Sequence, residues 1–232
     1  MQEPLVTVIT VCYNAESLIE ETIQSVLNQD YKNLEYLIVD GASKDGTMSV
    51  VQKYADRLTY VSEPDKGIYD AMNKGLQMAK GEWVNFMNAG DTFADEKVLS
   101  DVFRNEIPSD VRIIGGHVMR VYPDREEVQY AENPYVTPIE LPYCHQATFF
   151  RRGGWQYDIS FRIAADYKAV YDCYRQYGAK TMLTVDRVIA NYRMDGSTTF
   201  ENLKRAKGEY LKIQSDNRNW RWWKEYLKWK FR

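Results

Sequence analysis

The 232-residue chain is poor in the features that mark specialised protein classes. Its three cysteines, Cys12, Cys144 and Cys173, have neither C-x-x-C nor Cys/His spacing. That argues against a disulfide framework or a zinc site and fits a reducing cytosol. No run approaches the ~18 apolar residues of a membrane span, and residues 5–12 are too short and unflanked for a signal peptide. There is no internal repeat and no low-complexity linker. No G-x-G-x-x-G follows the first apolar run, which argues against a dehydrogenase. The segment Cys12-Tyr13-Asn14-Ala15-Glu16 also lacks the Gly-rich, Lys/Arg-bearing loop a nucleotidyltransferase would want there. No Ser-His-Asp pattern points to a protein nucleophile. A formal charge of −3 argues against a general polyanion binder, and 44% hydrophobic content allows one substantial core.

What is present is a series of strand-like runs that each end in a polar turn. Leu5 to Val11 stops at Cys12-Tyr13-Asn14, and Leu34 to Val39 stops at Asp40-Gly41-Ala42-Ser43-Lys44-Asp45-Gly46-Thr47. Trp83 to Met87 stops at Asn88-Ala89-Gly90-Asp91. Helical spacing fills the gaps, with Asn14 as N-cap before Ser17–Leu27, a helix over Thr47–Tyr54, and another stripe at Met72, Leu76 and Ala79. The order β-α-β-α-β predicts a parallel sheet with helices on its faces. In such sheets ligands bind beyond the carboxyl ends of the strands, where all three turns fall.

The turn residues admit two accounts each. Asp40 is either a turn carboxylate capping the next helix or a ligand for a nucleobase or ribose hydroxyl. Thr10, Tyr13 and Asn14 arrive at the same edge, which favours the ligand role. Asp91 ends the third strand, where a hard cation bridging a diphosphate would need a carboxylate; the plain alternative is an Asp in an ordinary turn.

Together these stretches resemble the family 2 glycosyltransferases, inverting enzymes of the GT-A fold. The match rests on Val6 through Asn14, Leu37 through Thr47, Gly67 through Asn73 and Gly81 through Asp91. It is dense over the first 95 or so residues and thin beyond. The resemblance implies an α/β GT-A fold with a mostly parallel central sheet, flanking helices and, in this chain, a C-terminal amphipathic helix. It places Thr10, Tyr13 and Asp40 around the uridine of a nucleotide-sugar, Asp65 near the same base and Asn73 near the sugar-phosphate. Asp91 takes the last position of the family's Asp-x-Asp-type motif, implying Mn²⁺ or Mg²⁺. Asn88 and Gly90 stand where acids are usual, which keeps a catalytically silent nucleotide-binding or scaffolding relative as the alternative.

The second half is less explicit. Ile113–Met119 reads as a strand with a glycine break, and Pro134 to Pro142 as a loop shaping an acceptor groove. Tyr143 to Arg152 reads as a strand. By the resemblance His145 faces the diphosphate or the acceptor; the plain alternative is a hydrogen-bonded packing residue, which is the reading for His117. Asp166, at the start of a helix packed through Val170, matches the family's general base, although an acidic residue is also favoured there by the helix dipole. Asp186 to Thr199 reads as a strand and a polar loop, with Arg193 either at the diphosphate or in a surface turn.

Residues 218–232 form a separate basic tail. Six Lys and Arg face Glu225 alone, and four of the six tryptophans lie here. On a helix, Trp222, Trp223, Tyr226, Leu227, Trp229 and Phe231 share one arc, the composition of an interfacial helix favouring anionic lipid. The alternative is a helix that packs its aromatic side on the domain. The organisation expected is thus a domain over 1–217, with a nucleotide-binding half at 1–91 and an acceptor half at 92–217, and a tail at 218–232. The expected partners are a nucleotide-sugar donor, a glycan or lipid-linked glycan acceptor and an anionic membrane, with no nucleic acid. The location implied is the cytoplasm, peripheral on the inner membrane face.

Overall fold

The computed structural model describes residues 3–131, 143–194, 203–216 and 220–230. Strand β1 (Val6–Cys12) is buried along its whole length. A predominantly apolar, β-branched run of this kind suits a central parallel strand covered on both faces. Val6, Val8 and Cys12 join one core cluster with Ile19, Ile23 and Val26 of α1 (Ile19–Leu27). Ile9 and Val11 face the other way, onto Met72 and Leu76 of α3 (Ile68–Met78).

β2 (Leu34–Asp40) and β4 (Trp83–Phe86) flank β1 in parallel, and β3 (Thr59–Ser62) extends the sheet beyond β2. α2 (Thr47–Gln52) connects β2 to β3. The chain therefore winds outward from β1 on one side and returns to its other side through α3. That reversal at β1 is the switch point where α/β sheets open a crevice. The second half adds β8 (Thr148–Arg151) antiparallel to β4, then β6 (Ile113–Val121), β9 (Met182–Arg193) and the short β5 (Thr92–Phe93). β6 and β9 run parallel, and β7 (Glu126–Gln129) makes a hairpin on β6. Two helices complete this region, α4 (Val98–Phe103) and α5 (Ala165–Tyr177).

Several expectations are adjusted. β3 escaped the sequence reading because it is a four-residue edge strand with no fully buried residue. α1 begins at Ile19, after Leu18, and α2 stops at Gln52 rather than Tyr54. Asn14 is not the N-cap of α1, a position Leu18 holds: its backbone φ is +49°, and its side chain turns to the neighbouring loop. The glycines of β6 do not break it. A Cβ on Gly115 would lie 2.1 Å from the Tyr143 ring, and one on Gly116 would lie 2.6 Å from Ile189. Small residues are needed there for close approach, and the register shift beside them bends the strand. Within the strand expected over 143–152, His145–Ala147 is a 3₁₀ turn and only Thr148–Arg151 is β. The proline loop 134–142 and the end of the polar loop, 195–199, lie outside the described residues.

The C-terminal region is a helical hairpin of α6 (Leu203–Ile213) and α7 (Trp220–Lys230). Trp222 is buried and donates its indole N–H to the Leu211 carbonyl at 2.9 Å. Trp229 does the same to Lys204 at 2.8 Å, with its ring against Gly208. Tyr226 stacks on Trp222. The single aromatic arc expected for the tail is thus split: Trp222 and Trp229 meet α6, while Trp223 and Leu227 stay about half exposed. Arg218, Phe231 and Arg232 of the expected tail lie outside the described residues.

Candidate active site

The carboxyl ends of β1 and β2 are tied together by their turns. Asn14 Oδ1 accepts the Lys44 N–H, and the Asn14 N–H donates to Ser43 Oγ, both at 2.8 Å. Ala42 also sits at positive φ, +61°, strain of the kind that functional turns hold. Asp40 is fully buried beneath this turn. Its carboxylate accepts the Ser43 N–H and hydroxyl and the Ser62 hydroxyl, so it anchors the turn from below.

Above it, Tyr13 is 63% exposed. Tyr13 and Asp65 converge on Gly41: a Cβ there would lie 2.5 Å from Asp65 Oδ2 and 3.4 Å from the Tyr13 ring. Asp65 is itself held by the Gly67 N–H at 2.7 Å. A planar base can be met here by an aromatic face and a carboxylate acceptor. Thr10 belongs elsewhere. It is fully buried, and its hydroxyl bonds Tyr36 and the Met87 carbonyl. Asn73 likewise does not open on the crevice; it is buried and clamps the Tyr157 backbone through both its oxygen and its amide. Both residues shape the site from behind, because β-strand and helix periodicity turns their side chains inward.

Asp91 ends the turn after β4 and is 5% exposed. Its oxygens accept the Gln146 amide at 2.8 Å and the Arg193 backbone N–H at 2.9 Å. Burial pushes its carboxyl up to about 7, against the lowering effect of those two donors and of the Arg193 charge. One turn back, Asn88 Oδ1 is buried with no hydrogen-bond partner among the described residues. An orphaned buried acceptor is uncommon. Among the described residues no group of three or more His, Cys, Asp or Glu could hold a metal. Arg193 reaches Gly90 and pairs with Glu21 at 3.2 Å.

Asp166 lies in the first turn of α5 and is half-buried. Tyr69, in the first turn of α3, reaches its Oδ1 at 3.0 Å and the Ile163 carbonyl at 2.7 Å. Burial and the nearby Asp166 charge raise the Tyr69 hydroxyl well above the usual phenol range, so it stays a donor. His145 is buried, stacks on Phe86 and shares a 2.7 Å hydrogen bond with the Tyr157 hydroxyl. It is a packing residue in this structure, and burial lowers its pKa. His117 is also a packing residue, held between Asp186 and the Ala131 N–H.

These contacts join the two carboxylates. Asp91 meets Gln146; His145, next in the chain, meets Tyr157; the Tyr157 ring lies 5.4 Å from Tyr69; and Tyr69 meets Asp166. Sequence reasoning missed Tyr69 and Tyr157. Their only signal was apolar spacing, which cannot say where a hydroxyl goes.

Residues 7–173 match the family model described as glycosyl transferase family 2. A PGL/p-HBAD biosynthesis glycosyltransferase of Mycobacterium tuberculosis is 28% identical over 185 residues, covering 75% of this chain and 71% of its own. The putative teichuronic acid biosynthesis glycosyltransferase TuaG of Bacillus subtilis is 40% identical over 100 residues, or 41% and 40% of the two chains. Among solved structures, S. aureus TarS in complex with UDP has a TM-score of 0.68 at 17% identity, covering 91% of this chain and 70% of its own. A mannosyltransferase of Pyrobaculum calidifontis with GDP-Man and Mn²⁺ has a TM-score of 0.72 at 22% identity, over 93% and 64%. The structural likeness shows a shared fold, the GT-A arrangement.

Proposed function

The chain belongs to glycosyl transferase family 2, and from that premise we propose that it transfers a sugar, with inversion, from a UDP-sugar to a hydroxyl of a lipid-linked glycan. The observation behind this reading is the contact path that links Asp91 to Asp166 through Gln146, His145, Tyr157 and Tyr69. The relatives named for PGL/p-HBAD biosynthesis and, putatively, for teichuronic acid biosynthesis support a surface-glycan acceptor.

Asp166 takes the proton from the acceptor hydroxyl as that oxygen attacks the anomeric carbon, opposite the departing diphosphate. Tyr69 fixes the Asp166 rotamer through the 3.0 Å hydrogen bond to Oδ1. Tyr13 and Asp65 receive the uracil, Asn14 and Asp40 brace the turn beneath it, and Arg193 flanks the phosphates. The donor set fits a divalent cation: Asp91 and the orphaned oxygen of Asn88 would hold Mn²⁺ or Mg²⁺. When bound, such an ion neutralises charge on the diphosphate.

The tail, 218–232, attaches the enzyme to an anionic membrane, with the catalytic body over 1–217. Trp223 and Leu227 form an exposed apolar face, and Lys224, Lys228 and Lys230 are exposed beside it. No helix among the described residues is long and apolar enough to cross a membrane. Peripheral attachment on the cytoplasmic face, where lipid-linked precursors are assembled, is consistent with that surface.

The reduced metal motif favours one rival, a silent nucleotide-binding relative. Calorimetric titration with UDP and GDP, with and without Mn²⁺, followed by a UDP-sugar turnover screen separates the two. Metal-enhanced, UDP-selective binding with turnover supports the transferase; binding with no turnover of any UDP-sugar supports the silent relative.

A further inference from the structure

We propose that Glu209, on α6, is a positioning residue for Asp166; the inference rests on the reading of Asp166 as the base. Glu209 accepts three successive backbone N–H groups, from Arg162 at 3.2 Å, Ile163 at 2.9 Å and Ala164 at 3.0 Å. Its side chain is largely buried, and its charge is met by Arg205 at 3.8 Å. Consecutive N–H groups aimed at one carboxylate form an anion nest.

This nest sits where α5 needs it. A helix leaves its first N–H groups without partners, and a capping side chain usually satisfies one of them. The residue preceding α5 is Ala164, whose methyl side chain cannot accept a hydrogen bond. Glu209 supplies acceptor oxygens and a negative charge from another helix, just ahead of the positive end of the α5 dipole.

The connection to Asp166 runs through Ile163. Glu209 holds the Ile163 N–H, and the Tyr69 hydroxyl holds the Ile163 carbonyl as well as Asp166 Oδ1. The peptide entering α5 is therefore pinned from both sides three residues before the base. Asp166 Oδ1 also accepts the Tyr167 N–H at 2.8 Å, so that amide reports the position of the carboxylate. Glu209 lies beyond the 7–173 segment that matches the family model. The brace is supplied by this chain's own C-terminal hairpin.

The test is amide exchange, measured residue by residue, in Glu209→Gln, with Glu209→Asp as the substitute if the first variant does not fold. Exchange should rise at least tenfold at Ile163, Ala164 and Tyr167, with UDP affinity within twofold of the parent. Opening at Ile163 and Ala164 while Tyr167 stays protected would overturn the proposal, since Glu209 would then cap its loop without reaching the base.

Kinetics add a second reading, using UDP release from UDP-GlcNAc. The kcat should fall at least tenfold at unchanged KM, and Glu209→Gln should cost nothing further in an Asp166→Asn background. Additive losses would mean that Glu209 acts independently of Asp166 and would refute the assignment. If Asp166→Asn alone turns over normally, the base reading fails and the positioning role falls with it. If Asp166→Asn is inactive but Glu209→Gln is fully active, only the positioning role fails. The amide readout needs no turnover and decides alone where UDP-GlcNAc is not cleaved.

Discussion

Tyr69 and Asp166 are 97 positions apart in sequence and 3.0 Å apart in space. A phenol in the first turn of one helix thereby sets the rotamer of a carboxylate in the first turn of another. The pair divides chemistry from positioning. Asp166→Asn should lower transfer by 10²–10⁴-fold, the ordinary worth of a general base, while UDP affinity stays unchanged. Tyr69→Phe should cost about tenfold, the equivalent of one hydrogen bond of ~1.4 kcal/mol. Turnover in Asp166→Asn equal to the parent would remove that residue from the mechanism.

Asp91→Ala removes the one carboxylate of the turn after β4. UDP binding should lose its enhancement by Mn²⁺, and a chelator should weaken UDP binding in the parent but not in the variant. Calorimetry reads both effects. Binding in the parent that is indifferent to the chelator would count against a metal at this turn.

Gly41 is the floor between Tyr13 and Asp65. In Gly41→Ala the new methyl would meet Asp65 Oδ2 at 2.5 Å, so the carboxylate must swing aside. We expect about tenfold weaker UDP binding, near 1.4 kcal/mol, with little change in melting temperature. A thermal shift assay and a titration on the same sample separate these. Unaltered affinity would place the base somewhere else.

His145 supplies a pH dependence whose sign is fixed. Burial lowers its pKa below the reference 6.5, despite the opposing effect of Asp166. The folded chain therefore binds this proton less readily than the unfolded chain. Stability from this residue is complete above about 6.5 and is lost as the pH falls below it, at up to ~1.36 kcal/mol per pH unit. Denaturant titrations of the parent and of His145→Gln from pH 7 downward should show the parent declining more steeply. Parallel curves would contradict a buried neutral imidazole.

In the C-terminal hairpin, inward and outward rings should behave oppositely. Trp223→Ser with Leu227→Ser should abolish binding to phosphatidylglycerol vesicles at little cost in stability. Trp222→Ala should destabilise the hairpin by about 3–5 kcal/mol, as truncating a buried aromatic does. Vesicle co-sedimentation and melting curves report the two. Undiminished sedimentation of the double variant would assign the lipid contact, if any, to other residues.

The parallel half of the fold was legible because β1, β2 and β4 are predominantly apolar or β-branched runs ended by turn residues, and a buried strand leaves little choice of composition. β3 was not, since an edge strand of four residues is too short for periodicity and none of its residues is fully buried. Among the candidate residues, Tyr13 and Asp91 stand out in the sequence as polar residues at the ends of strand-like runs and Asp166 as an acid at a helix start, while Asp65 is picked out by the family resemblance alone. Thr10 and Asn73 looked equivalent to them in one dimension. Only the direction of the side chain distinguishes a residue that lines a crevice from one that fastens its wall. Tyr69 and Tyr157 stayed hidden for the converse reason, because their rings pack like any core aromatic while their hydroxyls carry the polar contacts.

The two indole clamps of the hairpin, Trp222 on Leu211 and Trp229 on Lys204, have a consequence for modularity. They grip α6 near both of its ends, seven residues apart on either helix, or about 10 Å. A tail fastened in this way is not a detachable tag. Cutting the chain before residue 218 would strip the covering from α6, the helix that carries Glu209, so the shortened protein would lose that helix's support together with the tail. Grafting the tail onto another member of the family would fail for the same reason unless α6 travelled with it. The two helices of the hairpin are in this respect one inherited unit, and they would be expected to change together rather than be exchanged separately.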